Sequence, residues 1–254
     1  MPAHVKELWR YPVKGIAGER LVEVAITPSE TFPFDRRFAV AHGDSAIKAE
    51  VPHWELKTSF HMLMHGGDEG LASLTPSFDE PSGRLTIKRN GAPLIEADTR
   101  TQDGLTALDG FFRQFLNGGK HGTPRFVMGR GVYFGNIEDR VISLISLSSV
   151  RDLARAAGAS MDERRFRGNV NVEGLEPWVE RGWVGRTLRI GSLRFQVVDE
   201  TIRCGATTVN PANSQRDLNV PKLLNEHFGH AFCGVYLKAL DRGQIKDGAT
   251  LSLD

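Results

Sequence analysis

The chain has 254 residues, enough for one large domain or two small ones, and its 40% hydrophobic and 25% charged residues are typical of a globular protein in water. Its net charge of +1 provides no global field to attract nucleic acid or an anionic membrane, so any anion must be bound by a local cluster of cations. Its two cysteines are too few for a disulfide framework, a cysteine-rich zinc site or an iron–sulfur cluster.

Features of secretion and of membrane insertion are both missing from the sequence. The amino-terminal segment has no apolar signal core, and no apolar run approaches membrane-spanning length. Because a low cysteine content is typical of reducing compartments, we expect a cytoplasmic protein that binds neither membranes nor nucleic acid.

The first predicted elements are strands, followed by one helix. The run from Leu21 to Ile26 predicts an early strand, and Arg84 to Leu94 predicts a hairpin because Asn90-Gly91 supplies a type I′ turn between apolar flanks. A helix that stops at Gly118-Gly119 is predicted by apolar residues at helical spacing, namely Leu105, Leu108, Phe112, Phe115 and Leu116.

The segment from Asn117 to Pro124 is the best candidate for a domain boundary, since it is rich in turn-forming residues and has no periodicity. We therefore predict two strand-rich domains, residues 1–120 and 121–254. In the second, the apolar run Val141 to Ile145 is followed by a helical pattern that ends at Gly158. Ser149 with Asp152 three residues later predicts the amino-terminal cap of that helix.

The clearest hairpin lies further along the chain. Alternating residues flank Gly191-Ser192, with Leu188 to Ile190 on one side and Leu193 to Val197 on the other. Strand patterns outnumber helical ones over the whole chain. We therefore predict a mainly β fold with helices, of the α+β class.

No nucleotide or hydrolase motif is present. Gly129-Arg130-Gly131 with Gly135 does not form a dinucleotide fingerprint, because residue 134 is Phe134, and neither a P-loop nor a G-x-S-x-G motif occurs. The chain is therefore not expected to accept electrons from NAD(P)H itself.

Two groups of histidines have spacings that suit metal ligands but lack other requirements. His61 and His65 enclose Met-Leu-Met, so the general-base glutamate of a zinc protease is missing, and we interpret both as core or surface histidines. His227, His230 and Cys233 recur every three residues, but glycines interrupt this segment and structural zinc normally takes four ligands.

Cys204 is the residue best suited to chemistry. It follows a strand-like run, stands beside Arg203 and precedes a Gly-Ala-Thr-Thr turn. A neighbouring guanidinium favours the thiolate, which attacks electrophiles and binds soft metals. The alternative is a buried cysteine that acts as a small hydrophobic residue.

Cations occur in three further motifs, one in a predicted turn and two before predicted strands. Lys14 lies in Tyr11-Pro12-Val13-Lys14-Gly15, Arg36 in Asp35-Arg36-Arg37, and Arg167 in Arg164-Arg165-Phe166-Arg167-Gly168-Asn169. Each alone is most often a solvated surface charge of little energetic value. Together with Arg203 they predict a pocket for a multiply charged phosphate ligand, with a thiolate at its far end.

With these motifs the chain resembles the MOSC-domain family, in which a β-barrel amino-terminal domain precedes a molybdenum-cofactor sulfurase carboxy-terminal domain. The resemblance is strongest to the amidoxime-reducing (mARC-like) branch and its bacterial relatives that reduce N-hydroxylated compounds. The matching pieces run in family order: Leu8-Trp9-Arg10-Tyr11-Pro12-Val13-Lys14, Asp35-Arg36, Phe166-Arg167-Gly168-Asn169-Val170, Arg203-Cys204, Thr208-Val209-Asn210-Pro211 and Gly243-Gln244-Ile245-Lys246-Asp247-Gly248.

The resemblance implies a molybdenum cofactor (Mo-molybdopterin), with Cys204 as metal ligand and catalytic residue. It places the pterin's phosphate and ring against Lys14, Arg36, Arg167 and Arg203. It implies further cofactor contacts from the backbone N–H of Gly15 and from Glu138, Asn169 and Tyr236. The two predicted domains correspond to the β-barrel domain and the cofactor-binding MOSC domain.

The chain departs from the branch at several positions. Gly15 stands where a serine is usual, so a backbone N–H is kept but a hydroxyl is lost. Ile202 replaces a small polar residue, and Lys48-Ala49-Glu50 replaces a Thr-Ala-Arg-like stretch. The sequence also contains neither a ferredoxin domain nor a pyridoxal-phosphate domain, so electrons are expected from a separate ferredoxin-type or flavoprotein-type partner.

Three hypotheses follow for the function. The first is a molybdenum-dependent reductase of small N-oxygenated compounds. The second is a cofactor carrier or sulfur-transfer protein that holds a persulfide on Cys204, a hypothesis that the missing pyridoxal-phosphate domain weakens. The third is a binding module in which Cys204 is only structural.

Overall fold

The structure is a computed structural model that describes residues 2–64, 66–117 and 121–254. Its helices are α1 (Gln102–Leu116), α2 (Leu147–Ala156) and α3 (Val220–Phe228). Its strands are β1 (His4–Arg10), β2 (Glu19–Leu21), β3 (Glu23–Ile26), β4 (Phe38–Ala41), β5 (Glu50–Val51), β6 (Leu74–Asp79), β7 (Arg84–Arg89), β8 (Ala92–Asp98), β9 (Arg125–Gly129), β10 (Ile142–Ser146), β11 (Val170–Glu173), β12 (Thr187–Ile190), β13 (Leu193–Ile202), β14 (Phe232–Ala239), β15 (Gly243–Lys246) and β16 (Leu251–Leu253). The mainly β fold with a few helices is confirmed.

The largest sheet has eight strands in the order β16-β12-β13-β14-β10-β11-β1-β2. The pair β10 and β11 is parallel, and the other pairs are antiparallel. Strands β1 and β2 come from the amino-terminal end of the chain, yet Leu8 of β1 pairs with Val170 of β11. The two halves of the chain therefore share one sheet, and the segment that follows β1 starts beside the segment that precedes β11.

Three smaller sheets complete the architecture. Strands β4, β9 and β5 form one, β6, β7 and β8 form the second, and β15 pairs with β3 in the third. Helix α1 packs on the second sheet through Leu108 and Phe112, which are fully buried in the same core as Leu85 and Ile87 of β7. None of the helices in the described residues is long and apolar enough to cross a lipid bilayer.

Most of the predicted local elements are present. The turn between β7 and β8 has positive φ angles of 52° at Asn90 and 81° at Gly91, as a type I′ turn requires. The hairpin of β12 and β13 turns at Gly191-Ser192, as predicted. The early strand is divided into β2 and β3 at Val22, whose side chain is 74% exposed.

Helix α1 ends at Leu116 and is capped by Asn117, which adopts a left-handed conformation with a φ of 44°. The predicted stop at Gly118-Gly119 lies outside the described residues, as does part of the predicted domain boundary. That boundary stays a prediction, although the shared eight-stranded sheet crosses it.

The predicted cap of α2 is wrong by three residues. The helix begins at Leu147, and the capping side chain is Ser146, which accepts a hydrogen bond from the backbone N–H of Ser149. Ser149 is buried, and its hydroxyl donates to Glu180 at 2.7 Å while it accepts from the N–H of Trp178 at 2.8 Å. The Ser149 side chain, which the local pattern predicted as the helix cap, is therefore engaged in tertiary hydrogen bonds.

Two glycines of α1 provide a matched test of how this helix packs. A Cβ atom at Gly110 would meet no atom within 4 Å, whereas a Cβ atom at Gly104 would lie 2.0 Å from the carbonyl oxygen of Asp98. We expect Gly110→Ala to raise the free energy of unfolding by roughly 1 kcal/mol through helix propensity. We expect Gly104→Ala to lower it by about 1–3 kcal/mol, because β8 and α1 must separate. Urea unfolding followed by circular dichroism measures both, and effects of the same sign would contradict this packing.

Candidate functional site

Cys204 lies where the end of β13 turns toward the amino-terminal half of the chain. It caps a short 3₁₀ helix, Gly205–Thr208, and its carbonyl accepts from the N–H and the hydroxyl of Thr207 at 3.1 and 2.9 Å. The Cys204 residue is half-buried. A Cβ atom on Gly205 would lie 2.7 Å from the carbonyl oxygen of Met64, so glycine lets this turn pack against the amino-terminal half.

The thiol faces a cleft that both halves of the chain line, with about 830 Å³ of open space that is partly continuous with solvent. Eight of the nine residues predicted for the site line it: Lys14, Gly15, Arg36, Arg167, Asn169, Arg203, Cys204 and Tyr236. Glu138 does not line it, because its side chain points into solvent and the chain presents Asn136 and Ile137 to the cleft instead.

The lining is strongly cationic. Lys14, Arg36 and Arg167 line it together with Arg165 and Arg203, and no aspartate or glutamate among the described residues does so. The carboxylates that balance part of this charge pair with lining arginines but do not themselves line the cleft. Asp35 pairs with Arg36, and Asp217 pairs with Arg165 at 2.6 Å. The cleft therefore has a local excess of positive charge in a chain whose net charge is only +1.

Lys14 is the most strongly perturbed of these cations. It is only 5% exposed, and its Nζ donates to the carbonyls of Phe134 and Gly135 at 2.8 and 3.3 Å. Burial, followed by repulsion from Arg36 and Arg167, lowers the pKa of Lys14 to about 7. Because a carboxylate partner would raise this pKa, the lowered value is the mark of a cation that lacks a counter-anion.

Arg167 and Arg36 both lie over the aromatic ring of Tyr11. The guanidinium carbons lie 4.4 and 4.9 Å from the centre of the Tyr11 ring, which suits cation–π contacts. Both arginines have left-handed backbone conformations, with φ angles of 53° and 49°. Such conformations are uncommon for residues with a side chain and concentrate at functional sites. Burial lowers the pKa of Arg167 to about 10.

Arg203 holds its charge beside the thiol through backbone contacts. Its Nε donates to the carbonyl of Cys233 at 2.8 Å, and its Nη1 donates to the carbonyl of Phe166 at 2.8 Å. A Cβ atom on Gly234 would lie 3.2 Å from Arg203 Nη2 and 2.3 Å from the carbonyl oxygen of Leu144. Gly234 therefore leaves room for this guanidinium, which supplies positive charge more than free hydrogen-bond donors.

Cys204 interacts electrostatically with three of the cations. Its charge raises the pKa values of Lys14, Arg167 and Arg203, although burial has the larger and opposite effect on each. The second cysteine has a different environment. Cys233 is fully buried, which raises the pKa of its thiol to about 12 and keeps it protonated. Cys204 is therefore the thiol available for chemistry.

Asn169 lines the cleft, but its side-chain amide is hydrogen-bonded to neighbouring strands. Its Oδ1 accepts from the N–H and hydroxyl of Ser143 at 3.1 and 2.8 Å, and its Nδ2 donates to the carbonyl of Trp9 at 3.2 Å. The side chain thus ties β10 to β1 across β11. This arrangement gives Asn169 a positioning role for the motif that carries Lys14.

The local fold explains why Gly15 stands where the family resemblance predicts a serine. Its φ angle is 93°, and a Cβ atom there would lie 2.8 Å from the carbonyl oxygen of His61. A serine in this backbone conformation would be strained and would press on the 61–64 segment. The hydroxyl expected at this position therefore does not fit the local fold.

Sequence reasoning missed Arg165 and Tyr11 as site residues. Arg165 is 3% exposed, whereas the neighbouring Arg164 is exposed and pairs with Asp162. The short 3₁₀ helix Glu163–Phe166 turns the two arginines in different directions. The sequence Arg164-Arg165-Phe166-Arg167 alone does not indicate which arginine is buried. Tyr11 lay within a motif that the sequence analysis named, but its contacts with the guanidinium groups of Arg36 and Arg167 depend on segments far apart in the sequence.

Comparisons with known proteins give a consistent result. A family model described as the MOSC domain matches residues 116–252, and one described as the MOSC N-terminal beta barrel domain matches residues 2–117. The chain is 28% identical over 228 residues to the molybdenum cofactor sulfurase of Caenorhabditis elegans and 26% identical over 232 residues to that of Caenorhabditis briggsae. Each match covers 87% of this chain but 30% of the relative, so the chain spans less than a third of their length.

Among solved structures, the YUAD protein from Bacillus subtilis is similar to this chain with a TM-score of 0.46 and 11% sequence identity. The similarity covers 100% of this chain and 96% of that one.

The lowered pKa of Lys14 predicts how anion binding depends on pH. Below about pH 7 the Nζ is charged and adds to anion binding, and above it the charge is lost. Sulfate, which stays a dianion throughout, should therefore bind roughly tenfold more weakly at about pH 9 than at about pH 6. Calorimetric titration of the cofactor-free protein measures the two affinities.

Two variants make this test specific. Lys14→Met should bind sulfate weakly at both pH values, so that the difference between them largely disappears. Lys222→Met on the exposed face of α3 should keep the pH dependence of the unmodified chain. An unchanged pH dependence in Lys14→Met would show that another group controls anion binding.

Proposed function

The chain belongs to the MOSC family, with a MOSC N-terminal β-barrel domain followed by a MOSC domain, and we propose that it is a molybdenum-cofactor-dependent reductase of N-hydroxylated compounds. The observation that carries this proposal is the half-buried thiol of Cys204 in a cleft lined by five cations and no carboxylate among the described residues. A soft ligand beside an anion-binding wall is what a metal-bearing pterin phosphate requires.

The residues present fit such a cofactor. Cys204 would supply the thiolate to the metal, and Lys14, Arg36, Arg165 and Arg167 would bind the phosphate and the polar edge of the pterin. The desolvation that lowers the pKa values of Lys14 and Arg167 is offset when an anion binds, so these residues favour a charged ligand over an empty cleft. When bound, the molybdenum cofactor supplies the two-electron chemistry that removes oxygen from an N–O group.

The protein contributes binding, orientation and limited access of water. The hydrophobic side chains of Met62, Leu63 and Phe166 line the cleft beside the thiol. The cleft adjoins a second cavity, and the two share Leu63, Arg165, Arg167 and Ala206.

A separate redox protein is proposed as the electron donor. The chain contains two cysteines, one of which is buried outside the cleft, and therefore cannot bind an iron–sulfur cluster through four thiolates. It also carries no nucleotide-binding fingerprint. A ferredoxin-type or flavoprotein-type partner fits these features.

The similarity to molybdenum cofactor sulfurases favours a second candidate function. In that case the chain carries the cofactor or transfers sulfur, with a persulfide on Cys204. The same cations would stabilise a persulfide anion, so the cleft fits both candidate functions. Turnover of an N-oxygenated substrate distinguishes the reductase from the carrier.

Turnover with an artificial donor tests the reductase proposal. We expect protein from a host that makes molybdenum cofactor to convert an amidoxime or hydroxylamine to the amidine or amine with reduced viologen, and to be inactive with NADH alone. Cys204→Ser should abolish both the activity and the bound molybdenum, because a hydroxyl replaces a soft thiolate poorly. Elemental analysis and product quantification measure the two effects.

Cys233→Ser is the matched control, since Cys233 is buried away from the cleft and its thiol stays protonated. It should keep its molybdenum, although it can lose stability. Equal molybdenum content and turnover in Cys204→Ser and the unmodified chain would end the proposal. Bound cofactor without turnover of any N-oxygenated compound would favour the carrier, and mass spectrometry would then reveal a persulfide on Cys204.

The arginines of the cleft provide a second test. Arg167→Ala should weaken retention of the pterin by some tens-fold, since loss of a charge-assisted contact costs about 2 kcal/mol. Arg164→Ala should have a smaller effect, because Arg164 is exposed, pairs with Asp162 and lines only the adjoining cavity, not the cleft of Cys204. Fluorescence of oxidised pterin per mole of protein measures retention, and equal losses in the two variants would place the phosphate elsewhere.

A further inference from the structure

The second cavity beside the cysteine cleft has a volume of about 350 Å³. Leu63 and Ala206 line both spaces, and Ala206 lies in the short 3₁₀ helix that Cys204 caps. Of the nine residues predicted for the site, only Arg167 lines this second cavity. The cavity therefore lies next to the thiol but is formed largely by residues without an assigned role in cofactor binding.

Contacts between distant segments hold the cavity in shape. The N–H of Ala17 donates to the carbonyl of Leu74 at 3.0 Å, and Arg167 Nη1 donates to the carbonyl of Ile16 at 2.5 Å. The loop that follows the first strand is thus fixed to β6 and to the arginine segment. Four lining residues are exposed, so the cavity opens to solvent beside them: Thr75, Asn90, Gly91 and Ala212.

Part of the lining is aromatic and apolar. Trp9 is half-buried, and its indole N–H donates to Glu7 Oε2 at 2.8 Å, which fixes the orientation of the ring. Glu7 does not itself line the cavity. The other apolar lining residues are Leu63, Ala72, Ala206, Val209 and Pro211. Such a surface suits a planar aromatic ring, which can pack against the indole.

The charged part of the lining is cationic. Arg164, Arg165 and Arg167 line the cavity, and no aspartate or glutamate in the described part of the chain does so. Arg164 binds Asp162 through Nε and Nη2, and its Nη1 has no hydrogen-bond partner within residues 2–64, 66–117 and 121–254. Arg167 donates to a backbone carbonyl and not to a carboxylate. Guanidinium donors are therefore left for an anionic ligand.

Arg164 separates this cavity from the predicted phosphate site. It lines the second cavity but not the cleft, whereas Lys14 and Arg36 line the cleft but not the second cavity. A phosphate held by Lys14 and Arg36 would therefore leave Arg164 without an anion. The lining fits a ligand that carries an acidic group of its own on an aromatic ring.

We propose that the second cavity binds an aromatic ring together with its carboxylate, and that the substrates of this chain are aromatic N-hydroxylated compounds with an acidic group. The carboxylate would contact Arg164, and the ring would pack against Trp9. The N–O group would extend past Leu63 and Ala206 toward the cleft of Cys204. The substrate assignment rests on the proposed reductase function, whereas the binding of an aromatic carboxylate does not.

Binding of 2-naphthoate to the cofactor-loaded protein tests the cavity itself. Calorimetric titration compares it with 2-naphthamide, which has the same rings without the charge. We expect naphthoate to bind at least about tenfold more tightly, because the amide lacks the charge-assisted contact. The proposal is wrong if the loaded protein binds both equally or binds neither. Naphthoate binding to the cofactor-free protein alone would show that the cofactor occupies the cavity.

Two exposed arginines provide a matched pair of variants. Arg164→Gln should weaken naphthoate binding by about fivefold. Arg155→Gln should not change it, because Arg155 pairs with Asp152 on α2 and does not line the cavity. Both arginines are exposed, so both variants should fold. In cofactor-free protein, a larger loss of affinity in Lys14→Met than in Arg164→Gln would place naphthoate in the cysteine cleft and contradict the proposal.

Turnover with reduced viologen tests the substrate assignment. We expect kcat/KM for 4-carboxybenzamidoxime to exceed that for benzamidoxime by about tenfold, and Arg164→Gln to reduce this ratio about fivefold, mainly through KM. Equal reduction of both compounds, with no effect of Arg164→Gln on the ratio, would overturn the inference and leave the reductase standing. Reduction of neither would overturn the reductase and the substrate assignment, and naphthoate binding would still decide whether the cavity takes aromatic carboxylates.

Discussion

Positive charge buried without matching carboxylates in the same cleft is the constraint on which the rest of the structure depends. Lys14, Arg36, Arg165, Arg167 and Arg203 face one space, and burial opposes the charge of each one whose pKa is shifted. The fold compensates with backbone carbonyls, with the face of Tyr11 and with Asp35 and Asp217 behind the wall. This compensation is incomplete at Lys14, so a bound anion would stabilise the charged form of its side chain.

The shared sheet is what assembles the cleft. Strand β1 enters the sheet beside β11, so the motif that ends in Lys14 starts next to the segment that carries Arg167 and Asn169. The amide of Asn169 fixes this register by bonding Ser143 in β10 and the carbonyl of Trp9 in β1. The site therefore forms only when both halves of the chain are folded together.

Patterns in the sequence predicted the elements whose formation depends on residues close together along the chain. The hairpins at Asn90-Gly91 and Gly191-Ser192 follow from turn chemistry, and α1 follows from the spacing of its apolar residues. The cap of α2 was misplaced because Ser149 bonds to Glu180, about thirty residues away in the sequence. Long-range contacts of this kind leave no local pattern.

The same distinction applies to the site. Motif similarity indicated nine site residues, and all of them except Glu138 line the cleft. It could not identify Arg165, whose environment depends on Asp217, or the amide contacts of Asn169. The contacts of the His42 ring with the rings of His61 and His121 were missed for the same reason. His61 was paired with His65 by spacing, and His65 lies outside the described residues, whereas His42 and His121 come from distant segments.

The most direct test of the central claim is anomalous diffraction at the molybdenum edge from crystals of protein made in a host competent in cofactor synthesis. We expect one anomalous peak within bonding distance of Cys204 Sγ, with phosphate density against Lys14 and Arg167. A molybdenum peak remote from Cys204, or pterin density outside the cationic cleft, would contradict it.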